Sequence, residues 1–562
     1  MKQPVNVINS DPDYMMGWKS GQPVLVPKIG DGEIATFATD TSGNVTGLVG
    51  PGGKKLPLGY AASGKKTGIV GDSISVANYF GAAAVPFTRA SNVVTFTLAN
   101  HGQYIGSPTQ VRNSTDSSMS ATFATLAVAD SSHFSVISTG ADGAGTANLT
   151  FMTATSDRGW FSWANYLLGN PFDLVVQAAV SSYTASQIKD LLSTEVEPFG
   201  VLDELFVEAG INDALNNSNS VTTILANVKT LLDACRGYAQ TINVIVMYPM
   251  EATYKSTNSL SSAIFGNLIS HVNELRKFVI EYCQQNQGYR AIDVFGQFID
   301  TVNGTAALGT SGCAKLNYTI DGLHPSALGA YYAGLKVYNS LTAYEYKSRQ
   351  LVASPADNWG FTNTLGITAN TNIWDYAPFT NSGGNLGAGI TGTVALGWDT
   401  ARGGGTTGVA SVVARPDGIG YLQQVDWTPA ANNEVGVIRT YTTYSMHSRV
   451  SAGQTYKLQA YLALVGVAAN AKMKSIVVNV LATIGGSSLV LSTWGQASVT
   501  TQPDVDFSGV VRTPAFTIPA GACTSLTFEC RVTFAGASAS ALTVKFGGAS
   551  LDLQTYDTVS II

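Results

Sequence analysis

Hydrophobic and polar positions follow different patterns in different parts of this chain. Between residues 61 and 350, short apolar runs alternate with stretches whose apolar residues recur at helical spacing. Alternating strands and helices of this kind indicate an α/β domain, with a mostly parallel sheet between two layers of helices. The predicted strands are KTGIV (66–70), DLVVQ (173–177), ELFVE (204–208), NVIVM (243–247) and AIDV (291–294). The predicted helices are 186–192, 222–235, 260–284 and 325–341.

Strand-type patterns dominate two other regions. Residues 84–155 hold β-type runs separated by Gly, Ser and Asp, which predict a small β insertion before a helix that begins near Trp160. A linker is predicted at 351–358, and alternating runs with turn residues between them follow it to the end of the sequence. Repeated short strands of this kind predict a C-terminal β-sandwich of jelly-roll type.

The first 60 residues are short extended pieces broken by Gly, Pro and Asp, and they end in GLVGPGGKKLPLGY. This pattern is typical of a small β module or an attachment arm. The predicted domains are therefore 1–60, 61–350 and 351–562. A length of 562 residues fits such a division, since a domain usually takes about 100–200 residues.

Composition narrows the functional classes. Hydrophobic residues make up 45% of the chain, which indicates a folded protein, and the net charge is −6. No stretch concentrates Lys and Arg, so we expect no nucleic-acid partner. No apolar run reaches the about 18 residues of a membrane span, and the N-terminus has no apolar core of signal-peptide length. We therefore expect neither a membrane segment nor an ordinary secretory signal.

The cysteines predict neither a disulfide framework nor a zinc site, because their number is odd and none forms a CxxC pair. A bridge across a hairpin between the last two of them is an open alternative. The five cysteines are Cys235, Cys283, Cys313, Cys523 and Cys530.

A candidate nucleophile follows the first predicted strand, where KTGIV runs into GDSIS (71–75). Ser73 would lie at the carboxyl end of the sheet, where open α/β folds bind their ligands. The helix that begins there offers free backbone N–H groups to a developing oxyanion. Taken alone, Gly-Asp-Ser is also ordinary turn chemistry, so this motif needs the support of others.

DGLHP (321–325) supplies a candidate base and its partner. A nucleophilic serine needs a base, and the base needs a carboxylate that orients it. Asp321 and His324 lie three positions apart in one turn before a predicted helix, so both can point toward one pocket. The remaining histidines lack such a setting, and for them we expect surface or hydrogen-bonded structural roles. They are His101, His133, His271 and His447.

GIND (210–213) follows the strand ELFVE and offers a third candidate. The amide of Asn212 can donate an N–H to an oxyanion from a strand end. Without the other two motifs, a turn asparagine followed by a capping Asp213 would be the preferred interpretation of the segment.

Together, GDSIS, GIND and DGLHP resemble the motifs of the SGNH (GDSL-type) hydrolase family, in order and at suitable distances over roughly residues 61–345, the insertion excluded. The segment WANYLLGNPFDLVV (163–176) is similar to the family's helix and second strand. One block departs from the family. Where relatives have Asn-x-Gly followed by Ser-Gly, this chain has QAAVSSYT (177–184), so that the family's oxyanion glycine falls at Ser182.

The resemblance implies a serine hydrolase without metal or cofactor that works by two-step acyl transfer. Ser73 would attack an ester carbonyl, His324 would accept its proton, and Asp321 would orient the imidazole. The backbone N–H groups of Ser73 and Ser182 and the side-chain amide of Asn212 would bind the oxyanion. Ser182 can take this role only if the turn tolerates a side chain, which depends on its φ angle.

The order of the regions resembles that of bacteriophage tailspike or tail-fibre esterases. The segment GNVTGLVGPGGKKLPLGY is similar to particle-proximal segments of phage tail proteins, and the insertion runs VTFTLANHGQYIGSP and DSSHFSVIST are similar to small β modules of phage receptor-binding proteins. This resemblance implies O-deacetylation of bacterial capsule or O-antigen at the host cell surface. It also implies a homotrimer in the virion whose N-terminal module binds other tail proteins. A general carboxylesterase or lipase, and a non-enzymatic carbohydrate-binding adhesin, are the alternatives.

Aromatic residues of the C-terminal region leave its role open. Exposed rings could stack on sugars, buried rings would pack the core, and the region could also serve trimerisation. The residues in question are Trp359, Trp374, Trp398, Trp427 and Trp494.

Overall fold

The computed structural model describes residues 65–553 apart from gaps, and before residue 65 it describes strands only. The gaps are 216–218, 247–249, 302–311, 345, 347–350, 352–359, 363–367, 371–381, 419, 441–446 and 498–499. The predicted linker 351–358 therefore lies outside the described residues except for Leu351. The chain divides into two units, Met1–Ser63 and Gly64–Ile562.

The first unit contains two small antiparallel sheets, ordered β1-β2-β3 and β4-β5-β6. Its strands fit the prediction of a small β module, and its role in attachment stays a prediction. The strands are β1 (Tyr14–Lys19), β2 (Gln22–Ile29), β3 (Glu33–Ile34), β4 (Thr36–Thr39), β5 (Val45–Val49) and β6 (Lys55–Pro57).

The second unit opens with strand β7 (Lys65–Gly71), the one-turn helix α1 (Ser73–Val76) and a closed six-stranded barrel. The barrel closes because the 14-residue strand β13 pairs antiparallel with both β8 and β10. We predicted a small β insertion here but not its closure, which removes free edges from these strands. The barrel strands are β8 (Tyr79–Ala90), β9 (Val93–Thr97), β10 (Pro108–Arg112), β11 (Thr122–Asp130), β12 (His133–Ile137) and β13 (Gly143–Ser156).

The barrel has its own apolar core, separate from that of the central sheet. Phe87, Phe96, Phe134 and Phe151 fill it, and adjacent rings in this set lie 5.2–6.3 Å apart between centroids. A core of this kind makes the insertion a rigid body rather than a loose loop.

After the barrel the chain completes a parallel five-stranded sheet of order β14-β7-β15-β16-β17, which confirms the predicted α/β domain. The further strands are β14 (Phe172–Ala179), β15 (Leu202–Val207), β16 (Ala239–Val246) and β17 (Tyr289–Asp293). The helices are α2 (Trp160–Leu167), α3 (Ala185–Leu191), α4 (Ile211–Leu215), α5 (Val221–Cys235), α6 (Ala252–Thr257), α7 (Ser262–Gln285), α8 (Phe295–Phe298) and α9 (Ala327–Leu341).

These helices form two separate packing groups, as a three-layer arrangement predicts. One group is α2 with α8 and α9, and the other is α3 with α4, α5 and α7. The longer helices begin at serine caps, because the hydroxyl oxygens of Ser220, Ser261 and Ser326 each accept a backbone N–H from the first turn.

The C-terminal region is rich in strands, as predicted, and two sheets share one apolar core. One sheet continues as β28-β27-β31-β25-β22-β20, and the other is β21-β23-β24-β32-β26-β29, with β30 on β26. The jelly-roll topology stays a prediction. The elements are β18 (Gly360–Thr362), β19 (Thr368–Asn370), β20 (Asn385–Leu386), β21 (Ile390–Gly392), β22 (Trp398–Gly403), β23 (Thr407–Ala414), β24 (Tyr421–Thr428), β25 (Asn432–Thr440), β26 (Thr455–Val465), α10 (Val467–Asn470), β27 (Met473–Ile484), β28 (Ser487–Gln496), β29 (Phe507–Arg512), β30 (Phe516–Thr517), β31 (Cys523–Ala535) and β32 (Leu542–Leu553).

Three of the five C-terminal tryptophans belong to the core. Trp398 and Trp427 are fully buried, and Trp494 is 4% exposed, so none of these rings offers a face to a sugar. Trp359 and Trp374 lie outside the described residues. For the described tryptophans, core packing is therefore the confirmed alternative.

The C-terminal sheets and the α/β domain share part of a core. Trp163 and Tyr166 of α2 pack against Trp494 and Phe507 with ring centroids 5.2–6.1 Å apart, and Tyr331 of α9 lies 5.8 Å from Phe507. Strand β13 of the barrel also pairs in parallel with β28. The insertion, the helices and the C-terminal region are therefore joined by packing as well as by sequence.

All five cysteines are free thiols. Cys523 and Cys530 lie in the same strand, β31, so they cannot face each other across a hairpin. The alternative of a hairpin disulfide is therefore wrong. Among the described residues, no helix combines the length and the apolar character needed to cross a membrane.

Candidate active site

Three neighbouring strands of the central sheet end where the predicted site residues lie. Strands β14, β7 and β15 are parallel neighbours, so their carboxyl ends meet at one edge of the sheet. Ser73 follows β7, Ser182 follows β14 and Asn212 follows β15. The fold thus brings three segments that are distant in sequence to one rim.

Backbone hydrogen bonds tie the flanking loops to the end of β7. The N–H of Val180 donates to the Gly71 carbonyl, and the N–H of Glu208 donates to the Val70 carbonyl, both at 3.0 Å. Gly71 allows this close approach, since a Cβ there would lie 2.6 Å from Ser75 Oγ and 2.8 Å from the Glu208 carbonyl oxygen. The first residue of the GDS motif must therefore be glycine, because no side chain fits at this position.

The turn that carries Ser73 is fixed by its neighbours. Asp72 is the N-cap of α1, and its Oδ1 accepts the N–H of Ile74 at 3.0 Å. Ser73 is the first residue of α1, and its own N–H has no protein acceptor among the described residues. That N–H is open to an oxyanion at the helix terminus.

A chain of two short hydrogen bonds links Ser73, His324 and Asp321. Ser73 Oγ lies 2.7 Å from His324 Nε2, and His324 Nδ1 lies 2.6 Å from Asp321 Oδ2. Partial burial alone would raise the pKa of Asp321, but hydrogen bonds from the His324 ring and from backbone N–H groups lower it to about 2. The ionised carboxylate only accepts hydrogen bonds, so Nδ1 carries the imidazole proton and Nε2 accepts from the Ser73 hydroxyl.

The loop that carries Asp321 and His324 folds around the aspartate. Asp321 Oδ1 accepts the N–H of Leu323 at 3.0 Å and that of His324 at 2.8 Å, which locks the three-residue spacing into one turn. Gly322 between them has φ +90°, and a Cβ there would lie 2.4 Å from the Tyr254 nitrogen. Both constraints favour glycine at this position.

Glu251 holds this loop from outside the motif. It is buried, and its Oε1 accepts the N–H of Thr319 at 2.7 Å, while its own N–H donates to the Gly322 carbonyl at 2.8 Å. No motif marks Glu251, because its partner Thr319 lies 68 positions further along the chain.

Ser182 has φ +69°, in the left-handed region that favours glycine. The turn therefore has the conformation that a glycine would supply, with a serine in it. A non-glycine residue in this region costs of order 1 kcal/mol. Ser182 is exposed, and its N–H has no protein acceptor among the described residues, so it is free to donate.

Asn212 lies beside the same loop. Its Nδ2 donates to the Tyr183 carbonyl at 3.0 Å, which uses one of the two amide N–H groups and orients the other. Asp213 next to it is fully buried and accepts the Ala185 N–H at 2.8 Å, so its role is to join the two loops. Asn212 thus presents an amide N–H at this edge of the sheet, whereas Asp213 holds the two loops together there.

One known family matches part of this chain. The profile of the GDSL-like Lipase/Acylhydrolase family matches residues 139–331, a segment that includes Ser182, Asn212, Asp321 and His324. This chain carries a GDSL-like acylhydrolase domain. The matched segment begins after Ser73, between barrel strands β12 and β13, so it does not include the predicted nucleophile.

Solved structures similar to the chain include hydrolases. The lipase/acylhydrolase from Enterococcus faecalis is 19% identical, with 32% of this chain and 80% of that chain covered and a TM-score of 0.24. An acetyl xylan esterase from Geobacillus stearothermophilus is 12% identical, with 51% and 98% covered and a TM-score of 0.27. Another variant of the Geobacillus esterase is 13% identical, with 51% of this chain and 99% of that chain covered and a TM-score of 0.29. No curated protein matches the chain.

The barrel borders the loop that carries Ser182. Asn113, which follows β10, donates from Nδ2 to the Ser181 carbonyl at 3.1 Å, and Arg112 pairs with Glu195 at 2.6 Å. Asn113 itself has φ +46°, in the left-handed region, and the loop that it contacts contains Ser182, whose backbone is also left-handed. This contact was not predictable from local sequence.

A buried pair of carboxyl groups, Asp72 and Glu208, lies beside the turn that carries Ser73. Asp72 is fully buried and Glu208 is 1% exposed. Burial raises the pKa of Asp72 to about 6, and burial together with the charge of Asp72 raises the pKa of Glu208 well above its ordinary value. Glu208 ends the predicted strand ELFVE, and a glutamate at the end of a buried run was the available signal for it.

The other histidines lie outside this arrangement. His101 Nε2 is 3.0 Å from the Asp130 carbonyl, and His133 Nδ1 is 3.0 Å from the Asp130 carboxylate, both within the barrel. His271 is in α7, and His447 is in a short 3₁₀ turn of the C-terminal region. The structure therefore gives His324 alone, among the five histidines, a place beside Ser73.

Proposed function

We propose that this protein is a serine esterase in which Ser73 is the nucleophile, His324 the general base and Asp321 the residue that orients it. The observation that carries the proposal is the continuous hydrogen-bond chain from Ser73 Oγ through the imidazole to the Asp321 carboxylate. An esterase or acylhydrolase is also what the GDSL-like domain supports.

In the first step, Ser73 Oγ attacks the carbonyl carbon of an ester while His324 Nε2 accepts the hydroxyl proton. The carbonyl oxygen becomes an oxyanion, and Asp321 stabilises the imidazolium. The tetrahedral intermediate then collapses as the bond to the leaving alcohol breaks. His324 returns the proton to that alcohol, and an acyl-serine remains.

In the second step, water attacks the acyl-serine, and His324 takes a proton from the water. The bond to Ser73 Oγ breaks, the imidazolium returns the proton to the serine, and a carboxylic acid leaves. The backbone N–H groups of Ser73 and Ser182, with the free amide N–H of Asn212, are the proposed oxyanion donors. Each such donor is typically worth about 10²–10³ in turnover.

For the substrate, we propose O-acetyl groups on a bacterial surface polysaccharide, capsule or O-antigen. The barrel segment beside the oxyanion loop supports a hydroxyl-rich substrate, because residues 113–118 read NSTDSS. The segment is polar throughout and offers little apolar surface to a long acyl chain, although Asp116 and Ser118 hydrogen-bond each other and Arg89 within the barrel. The proposed setting is a phage tailspike: a homotrimer in the virion, attached through its N-terminal unit to other tail proteins.

The test compares wild type with Ser73→Ala and with a matched control, Ser193→Ala, an exposed serine of the same domain. Acetate release from acetylated bacterial polysaccharides is followed by loss of acetyl methyl signals in NMR spectra. We expect activity in wild type and the control and none in Ser73→Ala. Equal activity in Ser73→Ala would refute the esterase assignment.

Substrate class is tested separately with p-nitrophenyl acetate and a long-chain ester. Turnover of the acetyl ester and of acetylated polysaccharide, without turnover of the long chain, is expected of a carbohydrate deacetylase. Preference for the long-chain ester would favour a lipase. Sugar binding with no turnover of any ester would leave the adhesin alternative.

A further inference from the structure

The Asp72–Glu208 pair joins the nucleophile turn to the neighbouring strand. Asp72 Oδ1 caps α1, and Ser75 Oγ of the same helix donates to Glu208 Oε2 at 3.2 Å. The backbone N–H of Glu208 also donates to the Val70 carbonyl of β7, which holds Glu208 against that strand. Glu208 is thus bonded to Ser75, two residues after Ser73, and its carboxyl interacts with that of Asp72, the residue before Ser73.

The two remaining carboxyl oxygens of the pair are orphaned unless a proton lies between them. Asp72 Oδ2 and Glu208 Oε1 are both buried, and no donor among the described residues reaches either one. Two ionised carboxylates cannot share a dry site, because like charges at contact repel strongly at low dielectric. One carboxyl that keeps its proton converts the repulsion into a hydrogen bond.

We propose that Glu208 is a positioning residue that keeps its proton and donates a hydrogen bond to Asp72, and thereby fixes the turn that presents Ser73 to His324. This inference rests on the proposed esterase function for its kinetic consequences, but the protonation of Glu208 does not. Glu208 touches no reacting atom in the proposed mechanism, and it acts through Asp72.

The other charged groups that face the pair act less strongly than burial does. The charge of His324 lowers the pKa of Asp72 and that of Asp213 raises it, and neither group is the largest influence. Burial dominates for both carboxyls, and the charge of Asp72 acts next on Glu208. Asp72 Oδ1 accepts the Ile74 N–H as the N-cap of α1, and a hydrogen bond of this kind favours the ionised form, so the proton belongs with Glu208.

The kinetic test compares Glu208→Gln, which keeps a donor and an acceptor, with Glu208→Ala, which keeps neither. Glu204→Gln is the control, because Glu204 is a buried glutamate at the other end of the same strand, bonded to Tyr346 and Asn243. We expect Glu208→Gln to retain kcat within about threefold, and Glu208→Ala to lose about tenfold or more in kcat with little change in KM. Wild type and Glu204→Gln should lose activity at alkaline pH, where the pair ionises, whereas Glu208→Gln should not.

Equal kcat values for Glu208→Gln and Glu208→Ala, with the alkaline loss unchanged in Glu208→Gln, would overturn the positioning role. Infrared spectroscopy separates this result from a failure of the esterase assignment, because it needs no turnover. The difference spectrum between wild type and Glu208→Gln at neutral pH should contain the C=O band of a protonated carboxylic acid. Absence of that band would overturn the proposal even if Glu208→Ala fails to fold.

Discussion

Replacing Glu208 with Gln should change how the free energy of unfolding depends on pH. In the folded protein, burial raises the pKa of Asp72 to about 6 and that of Glu208 well above its ordinary value. In the unfolded chain both carboxyls release their protons near about pH 4. From about pH 6 upward the folded protein therefore holds a proton that the unfolded chain has already lost.

Proton counting gives the size of the effect. With one more proton in the folded state, the free energy of unfolding falls by about 1.4 kcal/mol per pH unit. Because these are raised carboxyl pKa values, stability is highest near the unfolded pKa and declines as the pH rises toward the folded one. Above about pH 6, the stability of wild type should therefore fall by about 1.4 kcal/mol for each pH unit over which Glu208 keeps its proton.

The Glu208→Gln variant has no proton to release at this position. The part of the pH-dependent fall in the free energy of unfolding that Glu208 causes should therefore be absent from the variant. Urea unfolding of wild type, Glu208→Gln and the exposed control Glu281→Gln is measured across this pH range. The difference in stability between Glu208→Gln and wild type should grow in favour of the variant as the pH rises, while Glu281→Gln should parallel wild type. Parallel curves for Glu208→Gln and wild type would refute the reasoning.

Three further predictions concern the rim and the shared core. Ser182→Gly should keep esterase activity and raise the free energy of unfolding by up to about 1 kcal/mol, measured by thermal unfolding, because it relieves a left-handed serine; a clear loss of stability would contradict this. Asn113→Ala should lower kcat severalfold on p-nitrophenyl acetate by freeing the Ser181 carbonyl, whereas Ser117→Ala on the same segment should not; identical kinetics would remove the barrel from the account of the site. Trp163→Ala should destabilise the second unit by about 3–5 kcal/mol in urea, since it empties the core shared with the C-terminal sheets; a loss under about 1 kcal/mol would mean that these parts are coupled only weakly.

Much of the α/β domain could be predicted because its signals are local. Each buried strand is a short apolar run, and each of the longer helices α5, α7 and α9 has an apolar face and a serine cap, so periodicity located them within a few residues. The site was predictable for the same reason. Ser73, Asn212 and the Asp321–His324 pair each follow a strand or precede a helix, and parallel topology brings such positions to one edge.

The parts that sequence reasoning missed all depend on distant partners. Barrel closure needs β13 to pair with β8 and β10, and nothing within β13 indicates two partners. Trp163 and Tyr166 lie in an amphipathic helix, but only the structure shows that the C-terminal sheets cover them. Glu208 reads as the polar end of a strand until the fold places it against Asp72, 136 positions earlier in the chain.

The most direct measurement is covalent labelling with a fluorophosphonate probe, followed by mass spectrometry of the labelled peptide. If His324 activates Ser73, the probe should modify Ser73 in wild type at neutral pH and leave other serines, such as Ser193, unmodified. His324→Ala should fold and lose most of the labelling. Labelling at another serine, or equal labelling of Ser73 without His324, would contradict the proposed nucleophile and its activation.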